Sequence, residues 1–207
     1  GDFDAAIEQL ERAHEIRARM NGEDHLTTVK GELALATAML ALDRVDEAEH
    51  LFQHAAVVIE RDAGTSDPDL VAALVGLADS QIRLQDFTSA LEVYKSAIKH
   101  GEAREGGLLA IDLHALTNYA FALARLGRTA EAAEIYRVAV PQLRDTLGAD
   151  HPTTLSGESG AAVVMRSQAE QTLAFDVGAQ ADDVPGASLR RIEQPRRTRR
   201  GLPRTGQ

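Results

Sequence analysis

Three constellations in this 207-residue chain have residue types and spacings that chemistry uses. Asp24-His25 and Asp150-His151-Pro152 set a carboxylate beside an imidazole, as acid–base pairs do. The same slots serve helix starts better, because Asp before a helix accepts free N–H groups and Pro at the first helical position gives up an N–H that had no partner. Asp67-Pro68 fills an equivalent slot without any His, which fits capping and not catalysis. His50 and His54, four residues apart, share one helical face and could grip a metal. The Glu of the HExxH motif and a nearby third ligand are missing, so a solvated outer face is expected there. There is no Gly-rich phosphate loop, no GxSxG elbow and no paired carboxylates in a recognisable setting. The expectation is a protein that is not an enzyme, with no cofactor and no metal.

Composition narrows the classes further. Without Cys, neither a disulfide framework nor a thiolate metal site is available. The apolar runs are shorter than a bilayer requires, so no membrane span is expected and a cytoplasmic location is read. The net charge of −10 is unevenly spread: residues 186–207 hold seven Arg against one Glu, which leaves −16 on the rest. A body that acidic repels phosphate, so no specific nucleic-acid role is expected outside the tail. Glu47, Glu49, Glu92, Glu131 and Glu134 read as an acidic solvated surface.

The elements that must position any site come from an internal repeat of 42 residues. Phe3, Val45, Phe87 and Thr129 form one column, and Ala6, Ala48, Ala90 and Ala132 a second. Leu10, Phe52, Tyr94 and Tyr136 form a third, with Ala13, Ala55, Ala97 and Ala139 a fourth and Gly22, Gly64, Gly106 and Gly148 a fifth. Leu35-Ala36, Leu77-Ala78 and Tyr119-Ala120 recur in the other half of the unit, flanked by apolar residues three and four away, which is helical periodicity. Each unit therefore reads as helix A (27–42, 69–85, 109–126), a tight turn at Asp43-Arg44, Asp86 or Gly127-Arg128, and helix B (45–61, 87–100, 129–146). The small alanines let paired backbones approach, the aromatic or leucine column fills the remaining gap, and stacking joins the stripes into one core. Three segments follow: residues 1–20, an orphan helix B; residues 21–167, three full units and a partial fourth whose helix A spans about 153–167; and residues 168–207, a degenerate Arg-rich tail. A chain opening on half a repeat, with Gly in place of Met, is expected to be a piece of a longer protein.

These columns resemble the tetratricopeptide repeat, with small residues at Ala36, Ala78 and Ala120 of helix A, two Ala columns in helix B and an aromatic between them. The period of 42, with LGADHPTTL at 147–155 and NGEDHLTTV at 21–29, is similar to the kinesin-light-chain type found in bacterial signalling proteins. The resemblance covers about residues 1–167. It implies an all-α, right-handed superhelical stack of antiparallel helix pairs, with helix A lining a concave groove that holds a protein or peptide. On helix A the groove residues would be Lys30, Leu33 and Thr37; Val75, Asp79, Ile82 and Arg83; and His114, Thr117, Asn118, Phe121 and Arg125. Asn118 matches an asparagine this type often carries, whereas Ala34, Gly76 and Gly160 stand at the equivalent positions, so a backbone clamp built on asparagine is mostly missing.

Past about residue 176 the pattern gives way to Gly, Pro, Asp and Arg, a composition expected to stay disordered. Leu202-Pro203-Arg204-Thr205-Gly206 matches the LPxTG pattern of sortase substrates without the apolar span and basic end that should follow, and is read as coincidence. The leading functional reading is an interaction scaffold. The alternative is the regulatory repeat region of a longer signalling enzyme, such as a Ser/Thr kinase or an ATP-dependent regulator. Self-association through the uncovered N-terminal helix is a third.

Overall fold

The computed structural model describes residues 3–102 and 113–182. All regular structure in them is helical: α1 (Phe3–Asn21), α2 (Leu26–Ala41), α3 (Val45–Asp62), α4 (Pro68–Arg83), α5 (Phe87–Glu102), α6 (Leu113–Arg125), α7 (Thr129–Leu147) and α8 (Pro152–Asp182). The chain divides into two units, Gly1–Glu170 and Gln171–Gln207, and the helical stack lies in the first. Helices α2, α4, α6 and α8 are the A helices of the repeat, and α1, α3, α5 and α7 are the B helices.

Side-chain size at the repeat columns explains the pairing. Ala48, Ala90 and Ala132, Ala55, Ala97 and Ala139, and Ala36, Ala78 and Ala120 are all 0% exposed, so the A–B seam has room for a methyl group and nothing larger. Phe52, Tyr94 and Tyr136 fill the space between successive pairs and are buried. On α1, Ala6 is exposed and Ala13 half-buried.

Each tight turn depends on one residue in the left-handed region. Asp43 (φ 63°), Gln85 (φ 63°) and Gly127 (φ 76°) stand 42 residues apart, each two positions before the start of helix B. The next position in the frame is Ala169, the residue of highest helix propensity. No turn forms there. Helix α8 continues to Asp182 instead of stopping near residue 167, so the expected boundary at 168 falls inside a helix. The Arg cluster and the LPRTG sequence lie outside the described residues.

The loops before the A helices correct the expected caps. The N-cap of α2 is His25, whose side chain accepts from the Thr27 N–H, and in the loop before α8 His151 Nδ1 accepts from the Thr153 N–H at 3.2 Å. At the equivalent place Asp67 accepts from the Asp69 N–H at 2.9 Å. The capping column is thus His25, Asp67 and His151, one residue after Asp24 and Asp150. The imidazole replaces the carboxylate because its ring nitrogen accepts the same N–H.

Candidate functional site

The A helices touch in succession, α2 against α4 and α4 against α6, and so form one continuous layer. The residues expected on its open side divide into those spent on neighbouring helices and those left facing a cavity.

Lys30 belongs to the first group. Its Nζ lies 2.8 Å from Asp67 and 2.8 Å from Asp69, tying α2 to the start of α4. Arg83 donates from Nη1 to the carbonyl of Leu40, which also accepts the Asp43 N–H at 3.2 Å, and stands 3.5 Å from the Asp43 carboxylate, so it adds a second donor at the end of α2. Leu33 and Val75 are partly buried and pack on the core, while Thr37 is exposed and returns its hydroxyl to the Leu33 carbonyl at 2.7 Å. Asp79 accepts from the Tyr94 hydroxyl and, at 2.9 Å, from Asn118 Nδ2. His114 Nε2 lies 3.1 Å from Asn118 Nδ2 and 3.9 Å from Asp79. Burial drives the Tyr94 phenol far above its ordinary pKa, and the Asp79 carboxylate adds to that.

Ile82, Thr117, Asn118, Phe121 and Arg125 form the second group. They meet around one cavity of about 480 Å³ between α4, α6 and α8, with Tyr136 of α7 also in its lining. Phe121 packs edge-on against Phe87, ring centroids 6.0 Å apart at 74°. The Arg125 guanidinium lies over both rings, 4.7 Å from the Phe87 centroid and 5.9 Å from that of Phe121. Stacking of this kind holds the cation in a fixed direction while leaving its N–H groups available. Thr117 donates to the His114 carbonyl at 2.8 Å and so presents its methyl group as wall.

The fourth A helix supplies what sequence reasoning missed: Ser156, Ser159, Gly160, Val163 and Val164, together with Ala124 of α6. Gly160 is required by the approach of Tyr136, since a Cβ there would stand 2.7 Å from the phenol Cζ. Gly76 makes the same allowance one repeat pair earlier, where a Cβ would stand 2.6 Å from Phe52 Cδ1. The glycines read as missing asparagines are therefore places where the aromatic of the preceding B helix reaches under the A helix. Phe52 with Gly76 and Tyr136 with Gly160 are each 24 residues apart, but Tyr94 stands at the same spacing from Asn118, where both side chains are bound to Asp79, so the spacing alone does not call for glycine.

A second polar cluster lies among α1, α2 and α3. Glu32, 2% exposed, is 2.8 Å from His54 Nδ1 and 3.7 Å from His14 Nδ1, and His54 Nε2 is 3.1 Å from Asp24. This corrects the solvated reading of His54. With both ring nitrogens facing carboxylates, it bridges a buried acid to the loop before α2, whereas His50 is exposed. Burial raises the Glu32 carboxyl above its ordinary range; the His54 imidazole, which burial alone would lower, is raised by its bonds to Glu32 and Asp24.

A stack of helical hairpins whose A helices share an open layer defines a class, the helical repeat scaffolds. The chain belongs to the tetratricopeptide repeat family: one model of that description matches residues 30–103 and a second matches 1–27 and 113–153. No curated protein sequence matches it. Among solved structures it is similar to the nearly identical TPR-like repeats of a Podosopora anserina kinesin light chain, at 22% identity, over 87% of this chain and 85% of that one, with a TM-score of 0.64. A point-substituted form of that protein gives the same values. It is also similar to BtubC (BKLC) from P. vanneervenii, at 19% identity, over 73% of this chain and 60% of that one, with a TM-score of 0.61. The fold is thus of the kinesin-light-chain type, and repeats of this family generally mediate protein interactions. No helix among the described residues is long and apolar enough to cross a membrane.

Proposed function

We propose that this protein is a non-enzymatic scaffold that holds an extended segment of a partner protein along the layer of A helices, with the cavity between α4, α6 and α8 as its main anchor. The observation that carries the reading is the meeting of Ile82, Thr117, Asn118, Phe121 and Arg125, residues from two repeats, around one space large enough for a side chain. The apolar walls gain from desolvating a ligand side chain, and the Arg125 N–H groups can fix a carbonyl or carboxylate of its backbone. Because the walls are held by the stack itself, little ordering entropy is lost on binding. Lys30 and Arg83 drop out of the contact set, since their charges serve neighbouring helices. The test is retention of peptides from a displayed random library by the wild-type chain and by Arg125→Ala. The reading expects peptides that bind the first and are lost from the second; equal retention by both would remove the cavity from the contact surface.

A second reading, self-association through α1, is favoured by the exposure of Ile16 (46%) and Met20 (77%) on that helix. Light scattering at rising concentration tests it, and a constant monomer mass would dismiss it.

A further inference from the structure

Tyr136 carries a donor that the fold leaves without an acceptor. In the preceding repeat, the equivalent Tyr94 hydroxyl donates to Asp79, and Asn118 Nδ2 donates to the same carboxylate oxygen. Forty-two residues on, the position of Asp79 is Phe121 and that of Asn118 is Gly160. The Tyr136 phenol therefore keeps the place of Tyr94 and loses the acceptor. It is 3% exposed, lines the 480 Å³ cavity and has no hydrogen-bond partner among the described residues. Its pKa is pushed up to about 12, with burial as the cause. A hydroxyl so placed opens onto the cavity and can donate to an acceptor that enters it.

The rest of the lining says which acceptor fits. Apart from Arg125 the lining has no charged side chain, and the neighbouring Asp79 carboxylate is occupied by the Tyr94 hydroxyl and Asn118 Nδ2. Ser156 and Ser159 add two hydroxyls that can turn to donate. We propose that the cavity receives the carboxylate of an Asp or Glu side chain on the bound segment, set against the Tyr136 hydroxyl as Asp79 is set against Tyr94, with Arg125 supplying the opposing charge. The ligand's acid replaces an acid that the repeat frame has lost. This assignment rests on the groove reading above and adds to it the residue class that the anchor selects.

The experiment selects displayed random 12-residue peptides on the 207-residue chain and on Tyr136→Phe. Affinities are then measured for a fluorescein-labelled selected peptide and for its Glu→Gln (or Asp→Asn) form. The proposal expects one acidic position to be fixed in the wild-type selection and lost with Tyr136→Phe. Removing the acid and removing the hydroxyl should each weaken binding about tenfold or more, and the two losses should not add, because they delete one interaction. A melt of Tyr136→Phe at or above the wild-type temperature shows that its fold is intact. Peptides that bind without an acidic preference, or whose acidic preference survives Tyr136→Phe, overturn this assignment while leaving the groove standing. Retention of no peptide at all overturns both.

Discussion

Replacing Gly76 with Ala sets two magnitudes against each other. In an exposed helix interior the change stabilises by about 1 kcal/mol, because Ala orders at lower entropic cost than Gly. At position 76 the added Cβ would meet the edge of the Phe52 ring, with Cδ1 2.6 Å away, well inside van der Waals contact. Phe52 is 3% exposed and packs in a cluster with Leu35, Ala36 and Leu77, so the ring cannot step aside without opening a gap. Overpacking of this kind costs about 1–3 kcal/mol. Gly76→Ala should therefore be neutral at best and destabilising by up to about 2 kcal/mol, which for a domain of this size lowers Tm by at most roughly 4–8 °C. The first repeat shows the compensating choice, since Leu10 and Ala34 occupy the positions of Phe52 and Gly76. Phe52→Leu alone should lose packing, but combined with Gly76→Ala it should recover stability, with a coupling of about 1 kcal/mol or more in a double-mutant cycle. Urea denaturation followed by circular dichroism gives all four values. A Gly76→Ala protein more stable than wild type by the full helix-propensity gain, or a cycle with no coupling, would refute the argument that the Phe52 ring holds position 76 to glycine.

Other outcomes follow from the same structure. Ala90→Leu, at a 0% exposed seam position, should destabilise by about 1–3 kcal/mol in a thermal or urea melt, and no loss would count against the repeat register. The folded pKa values of His54 and Glu32 are both raised, so the folded state holds protons more tightly than the unfolded chain. Stability from His54 is fully present below the unfolded value of about 6.5 and is lost as pH climbs through the raised one, and Glu32 adds a loss beginning above about 4.5. Urea midpoints should therefore fall between pH 6 and pH 8, and His54→Gln should flatten that slope; a wild-type midpoint that rises over the interval would contradict the cluster. Arg83→Ala should cost under about 1 kcal/mol, because the Leu40 carbonyl keeps its bond from the Asp43 N–H, and should leave peptide binding at the cavity unchanged.

Much of the architecture was legible because it is written as a period. Small residues that recur every 42 positions can only be explained by backbones that meet there, and the seam alanines of α2 to α7 are fully buried. The turn columns were legible for the same reason, although the end of α8 was not. Its extension accords with the strong helix former Ala169 at the turn position, a weak propensity signal that a search for recurring columns passes over.

The candidate site was legible as a face but not as a set of contacts. Helical spacing places Lys30, Arg83 and Arg125 on the same side of their helices, and nothing in that spacing separates them. What separates them lies on other helices or loops: Asp67 and Asp69 for Lys30, the Leu40 carbonyl for Arg83, and the rings of Phe87 and Phe121 for Arg125. The partnership of His54 with Glu32 and the unpaired hydroxyl of Tyr136 are likewise facts about neighbours distant in sequence. The amino-acid sequence alone determined the repeat, its helices and its buried seam, because those depend on local propensity and on residue size at regular intervals. Only the tertiary structure decided which polar groups were already paired and which still face an open space, because hydrogen bonds and ion pairs are settled by positions in three dimensions.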